Sequence, residues 1–132
     1  MIIIADDRKC SSNLLEKWKQ GIPLEVLPLA LKPIELKLNN LILNNNISFR
    51  AVLRECKSGK AGPIVTDNGN FVIDLQSSSP LPVDSIHELN SILKNIAGIV
   101  ETGIFECDKV TECFFGAADG SVKRLKGKLL NL

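Results

Sequence analysis

The amino-acid sequence predicts an α/β fold, and three observations carry that reading. Residues 2–4 are an unbroken Ile-Ile-Ile run, and β-branched residues without polar alternation mark a parallel strand covered on both faces. The segment 64–76 sets apolar and polar residues in alternation around an Asn68-Gly69 pair, a strong signal for a tight turn between antiparallel strands. Two further segments, near 32–42 and 85–96, place apolar residues at helical spacing. Between residues 23 and 105 the order is strand, helix, strand, strand, helix, strand, which is the ferredoxin-like βαββαβ arrangement.

Each element has its own reason. The strand at 2–5 ends at Asp6-Asp7-Arg8-Lys9. Ser11 or Ser12 offers an N-cap, Leu14, Leu15 and Trp18 an apolar stripe, and Gly21 a C-terminal stop, which predicts a helix over the second decade of the chain. Leu24 and Val26 alternate with Glu25 between Pro23 and Pro28, as in a short strand. Ile34, Leu38, Leu41 and Ile42 then recur at helical spacing, and Pro33 suits a first turn, so the helix starts near Lys32. Asn44-Asn45-Asn46 is a loop, since Asn tolerates left-handed backbone.

From Ile47 to Cys56, Phe49, Ala51 and Leu53 face one way and Arg50 and Arg54 the other, as in a strand. Asn68-Gly69 fits a type I′ hairpin, with two positive-φ residues. Phe71, Ile73 and Leu75 share a face opposite Asn70, Asp74 and Gln76. Ser85-Ile86-His87-Glu88 has the form of a capping box, followed by the stripe Ile86, Leu89, Leu93 and Ile96, with Gly98 as the stop. Residues 99–105 read as a strand, and 109–115 and 121–125 as two more joined by a turn at Ala118-Asp119-Gly120. The flanks, 1–22 and 106–132, resemble one step and two strands of a doubly wound sheet, too few for such a layer by themselves.

Composition excludes several function classes. Lys plus Arg number 16 against 15 Asp plus Glu, a net charge of +1, which leaves no electrostatic footprint for nucleic acid or an anionic membrane. No apolar run approaches the ~20 residues of a bilayer span, and the N-terminus lacks the basic start of a signal peptide. A cytoplasmic location and reduced thiols at Cys10, Cys56, Cys107 and Cys113 are therefore expected. The cysteines form no C-x-x-C pair and His87 is the single histidine, so no metal site is expected. Gly59-Lys60 lacks the remainder of a P-loop. The basic residues Lys123, Arg124, Lys126 and Lys128 read as a solvated end.

The chemistry-bearing candidate is Lys9. Ligands of open parallel sheets bind beyond the carboxyl ends of strands, and a lysine there can meet a phosphate or hydroxyl oxygen; the competing reading of spacing alone is a solvated turn whose lysine is free. Cys10, next to it, has no histidine nearby in sequence to act as its base, so an inert thiol is expected. No carboxylate stands in a pattern that marks a general base, so no catalytic residue is assigned.

The strings IIIADDRK (2–9), GIPLEVLPLA (21–30), AGPIVTDNGNFVIDL (61–75), AGIVETGIF (97–105) and FFGAADGSVK (114–123) resemble ribose-5-phosphate isomerase of the A type, eukaryotic-like, in its C-terminal portion only. The stretch at 39–46 is longer than is usual there. The resemblance implies an aldose–ketose isomerase of the pentose phosphate pathway, interconverting ribose 5-phosphate and ribulose 5-phosphate through an enediol without metal or other cofactor. It implies that the Thr-Gly-Ser-Thr, Asp-Gly-Ala-Asp and Lys-Gly-Gly-Gly segments and the proton-moving glutamate precede the strand at residue 2, so that this chain alone is inactive. It carries over one substrate-binding residue, Lys9, from the I-A-D-x-x-K stretch. It implies a ferredoxin-like small domain (23–105) inserted in a partial doubly wound large domain (1–22 and 106–132), and partners in a homo-oligomer or in the missing N-terminal half. The competing expectation is a non-catalytic ferredoxin-like interaction module.

Overall fold

In the computed structural model, residues 1–43, 46–57, 59, 61–105 and 110–126 are described. The fold is α/β, and the described residues form two sheets and two α-helices. Its elements are β1 (Ile2–Asp6), β2 (Ile22–Val26), α1 (Leu31–Asn39), β3 (Ile42–Leu43), β4 (Ile47–Leu53), β5 (Phe71–Ser77), α2 (Val83–Lys94), β6 (Ile99–Thr102), β7 (Glu112–Gly116) and β8 (Val122–Lys126).

One sheet has five strands in the order β3-β4-β5-β2-β6, each adjacent pair antiparallel. Alternation along its strands turns Leu24, Val26, Ile73, Leu75 and Phe49 to one face, where they pack with Ile34 and Leu38 of α1 and Leu89 and Leu93 of α2 in one buried cluster. The opposite face carries Glu25, Asp74 and Arg50. Where α2 meets β6, the buried Asn90 accepts a 2.7 Å hydrogen bond from the Thr102 hydroxyl, which satisfies both polar groups inside an apolar setting.

The second sheet has three strands in the order β1-β7-β8. β1 and β7 are parallel, with Ile2 opposite Glu112 and Asp6 opposite Gly116, and β7 and β8 form an antiparallel hairpin. Here the expectation of a strand covered on both faces is corrected. β1 is an edge strand, and Ile2 and Ile4 are 60% and 81% exposed. Neither helix packs on this sheet, so nothing among the described residues covers those side chains.

Four further expectations are corrected. Residues 11–20 form no helix. Leu14 instead pairs with Leu81 in an isolated bridge, exchanging backbone hydrogen bonds of 3.1 and 2.8 Å, and Leu15 takes a positive φ of 62° with its side chain 3% exposed. Burial of Leu15 and the pairing of Leu14 outweigh a helical stripe of only three apolar residues. Second, α1 ends at Asn39 and does not reach Leu41 and Ile42. The Asn40 side chain donates to the Leu36 carbonyl, the Asn39 amide oxygen accepts from the Ala51 N–H, and Ile42–Leu43 joins the sheet.

Third, α2 starts at Val83, with Pro82 as its cap residue, so Ser85 lies inside the helix and forms no capping box. Pro82 fixes the entry φ without needing a hydrogen-bonded N–H. Fourth, the turn at Asn68-Gly69 is not type I′. Gly69 has φ 77° but Asn68 is not in the positive-φ region. Thr66 and Asn70 close a three-residue loop, with Gly69 N–H donating to Thr66 carbonyl and Thr66 N–H to Asn70 carbonyl, the form in which glycine takes the left-handed position after a type I turn. Glu25 of β2 holds this loop: its Oε1 accepts from Thr66 Oγ1 at 2.7 Å, Asn70 Nδ2 at 3.0 Å and Asn68 Nδ2 at 3.2 Å. These three donors keep the Glu25 carboxyl below its ordinary range.

Candidate functional site

The route to Lys9 begins at the end of β1. Asp6 caps a single 3-10 turn, Asp7–Lys9, by accepting the Arg8 N–H at 3.1 Å. The Arg8 guanidinium returns to the same carboxylate, with Nε to Oδ1 at 3.1 Å and Nη2 to Oδ2 at 2.8 Å. Hydrogen bonding to Arg8 lowers the Asp6 pKa and raises that of Arg8. The two charges thus answer each other, and Lys9 follows them with no ion pair among the described residues.

Lys9 lines a cleft of about 510 Å³. Ser11, Leu14, Leu15 and Trp18 contribute from the irregular segment after it, Gly21, Ile22 and Pro23 from the start of β2, and Arg54, Gly103 and Phe105 from the five-stranded sheet and its loops. Gly21 makes that wall possible. Its φ is 118°, and a Cβ there would stand 3.0 Å from the Leu75 carbonyl oxygen, so only glycine brings the backbone this close. Gly103 donates its N–H to the Pro23 carbonyl at 2.8 Å.

Two cations therefore share a largely apolar cleft. Arg54 is engaged by a carboxylate: Nε donates to Asp74 Oδ2 at 2.9 Å and Nη2 to Asp74 Oδ1. The Asp74 side chain is 6% exposed and that of Arg54 29%, and Asp74 raises the Arg54 pKa. Lys9 has an uncharged neighbour, the Trp18 ring, with Nζ 4.6 Å from its centre. With Arg54 answered by Asp74, the cleft carries about one net positive charge. It can receive an anionic ligand with some apolar surface.

Other sequence candidates lie elsewhere. Cys10 is half-buried, with Lys123 Nζ 4.0 Å from its Sγ. His87 is exposed on α2. Arg124 pairs with Glu112, which answers part of the basic end. Cys107, Lys60 and Lys128 lie outside the described residues. No helix among the described residues is long and apolar enough to cross a membrane. Sequence reasoning missed Trp18 and Arg54 as cleft residues. In the sequence Trp18 reads as part of a helical stripe, and Arg54 as part of a polar strand face.

Comparison with known proteins decides the family. The family model described as ribose 5-phosphate isomerase A (phosphoriboisomerase A) matches residues 1–120. The chain belongs to the ribose 5-phosphate isomerase A family. It is 42% identical over 122 residues to the ribose-5-phosphate isomerase of Schizosaccharomyces pombe, covering 92% of this chain and 41% of that one. The Dictyostelium discoideum ribose-5-phosphate isomerase is 44% identical over 123 residues, covering 93% and 50%. The chain thus spans about half the length of the curated relatives it matches. Among solved structures, a D-ribose-5-phosphate isomerase in complex with phospho-erythronic acid superimposes with a TM-score of 0.75 at 34% identity, over 95% of this chain and 48% of that one. Ribose 5-phosphate isomerase A from Methanocaldococcus jannaschii gives 0.74 at 35% identity with the same coverage. Membership of the ribose 5-phosphate isomerase A family does not favour the alternative of a non-catalytic interaction module.

Proposed function

We propose that this chain serves the interconversion of ribose 5-phosphate and ribulose 5-phosphate, supplying a group that grips the sugar phosphate and not the group that moves the proton. The observation that carries the reading is Lys9: the lysine of the I-A-D-x-x-K stretch lies just past the carboxyl end of a parallel strand, in a cleft with net positive charge. A relative bound to phospho-erythronic acid supports an anionic, phosphorylated ligand. Lys9 would donate N–H bonds to its oxygens and orient it by charge.

We read residues 23–105 as a ferredoxin-like small domain and 1–22 with 106–132 as part of a doubly wound large domain. The order β4-β5-β2-β6 with a helix at each crossover supports the first, and the parallel pairing of β1 with β7 the second. The 132 residues contain no Asp-Gly-Ala-Asp and no Lys-Gly-Gly-Gly segment. The proton-moving carboxylate is accordingly assigned to the part of the relatives that this chain does not match.

The test has two arms. The 132-residue chain incubated with ribose 5-phosphate should form no ribulose 5-phosphate above background, and turnover would overturn the assignment of the base. Calorimetric titration with ribose 5-phosphate and with phospho-erythronic acid should show binding that Lys9→Ala weakens about tenfold, the loss of one charge-assisted contact. Unchanged affinity in a folded Lys9→Ala variant would remove Lys9 from the site.

A further inference from the structure

Lys9 is exposed, and a long exposed side chain has many rotamers to lose when it meets a ligand. One neighbour narrows them. Its ammonium stands 4.6 Å from the centre of the Trp18 ring, inside cation–π range, and both residues line the same cleft. We propose that Trp18 is a positioning residue whose ring holds the Lys9 ammonium at the cleft, with the N–H donors turned away from the ring directed to the anionic ligand. Only the identity of that ligand rests on the isomerase reading.

Two features favour an aromatic holder. A carboxylate in its place would hold Lys9 equally well but would neutralise it and compete with the incoming anion. Asp74 does this to Arg54 in the same cleft. A ring face restrains the ammonium and leaves its charge in place. The ring also sits on a segment that is pinned although it is not helical. Leu14 pairs with Leu81 on the N-terminal side, Leu15 is buried, and Lys19, the next residue in the chain after Trp18, donates from Nζ to the Leu15 carbonyl at 2.9 Å. Trp18 thus presents its face from a fixed base, while the residue is 41% exposed and lines the cleft.

The test reads the placement and its consequence separately. In proton–carbon NMR spectra of the 132-residue chain, the ring current of Trp18 should move one lysine ε-methylene signal upfield. Loss of that signal in Lys9→Met assigns it. Trp18→Leu should return it to the ordinary lysine position, and Trp18→Phe should keep most of the shift. In titrations with ribose 5-phosphate, Trp18→Leu should weaken binding about two- to fivefold, Trp18→Phe should recover most of the loss, and Trp18→Leu should add nothing in a Lys9→Met background. An ε-methylene signal that is unshifted in the wild type, or unmoved by Trp18→Leu, overturns the inference. So does an equal Trp18→Leu loss in both backgrounds, which would mean that the ring acts independently of Lys9. If the NMR pattern is as expected but the wild type does not bind ribose 5-phosphate, the positioning role stands and the substrate reading falls.

Discussion

Removing the Arg54 guanidinium should destabilise the chain more than removing both members of its ion pair. Asp74 is a side chain 6% exposed whose two oxygens are both engaged by Arg54. In Arg54→Met the carboxylate stays buried and loses both donors. Breaking a buried pair by deleting one partner costs ~3–5 kcal/mol. Arg54 is 29% exposed, so water can partly replace it, and the expected cost is about 2–3 kcal/mol. Arg54→Met with Asp74→Asn leaves no buried charge, and the amide needs weaker partners, so the double variant should lose only about 1 kcal/mol. Urea unfolding followed by far-ultraviolet circular dichroism separates these values. With a slope of about 1–3 kcal/mol/M, the midpoint of Arg54→Met should fall by roughly 0.7–3 M, and adding Asp74→Asn should restore much of it. An Arg54→Met variant within about 0.5 kcal/mol of wild type, or a double variant as unstable as the sum of the single ones, would refute the reasoning.

Three other outcomes are expected. Glu25 has its folded pKa lowered by Thr66, Asn70 and Asn68, so its contribution is complete above the unfolded carboxylate pKa and is lost as pH falls through the depressed folded value; the stability gap between wild type and Glu25→Gln should therefore be constant near neutrality and close in acid, and a gap that widens in acid contradicts the clasp. Gly21→Ala should cost about 1–3 kcal/mol in the same urea assay, because alanine is strained at φ 118° and its Cβ would press on the Leu75 carbonyl. Ile4→Glu, at a position 81% exposed, should change stability by less than about 0.5 kcal/mol while reducing concentration-dependent self-association in sedimentation velocity; a large loss of stability would mean that Ile4 is covered.

Where local pattern and tertiary packing agree, the sequence was readable. Leu24 and Val26 against Glu25, Ile34 and Leu38, Phe71, Ile73 and Leu75, and Leu89 and Leu93 all face the core that their periodicity assigns. The placement of Lys9 just past a strand end was legible too, because it follows from chain order alone. The failures share one cause, a long-range partner. Leu14, Leu15 and Trp18 have helical spacing, but Leu81, more than sixty residues away, takes the Leu14 backbone. Ile42 continues the α1 stripe, but β4 draws it into the sheet. The cleft was therefore half visible. Arg54 and Asp74 meet through the β4–β5 register, and Trp18 meets Lys9 from a segment that is not a helix.

Complementation tests the central claim most directly. The 132-residue chain is co-expressed with the half of the Dictyostelium discoideum ribose-5-phosphate isomerase to which it does not align, and ribulose 5-phosphate formation from ribose 5-phosphate is measured. Turnover by the pair, none by either alone, and a loss of at least about tenfold in kcat/KM with Lys9→Ala is the expected result. A co-purifying pair that stays inert, or turnover by the 132-residue chain alone, would contradict a chain that grips the substrate and leaves the proton to another segment.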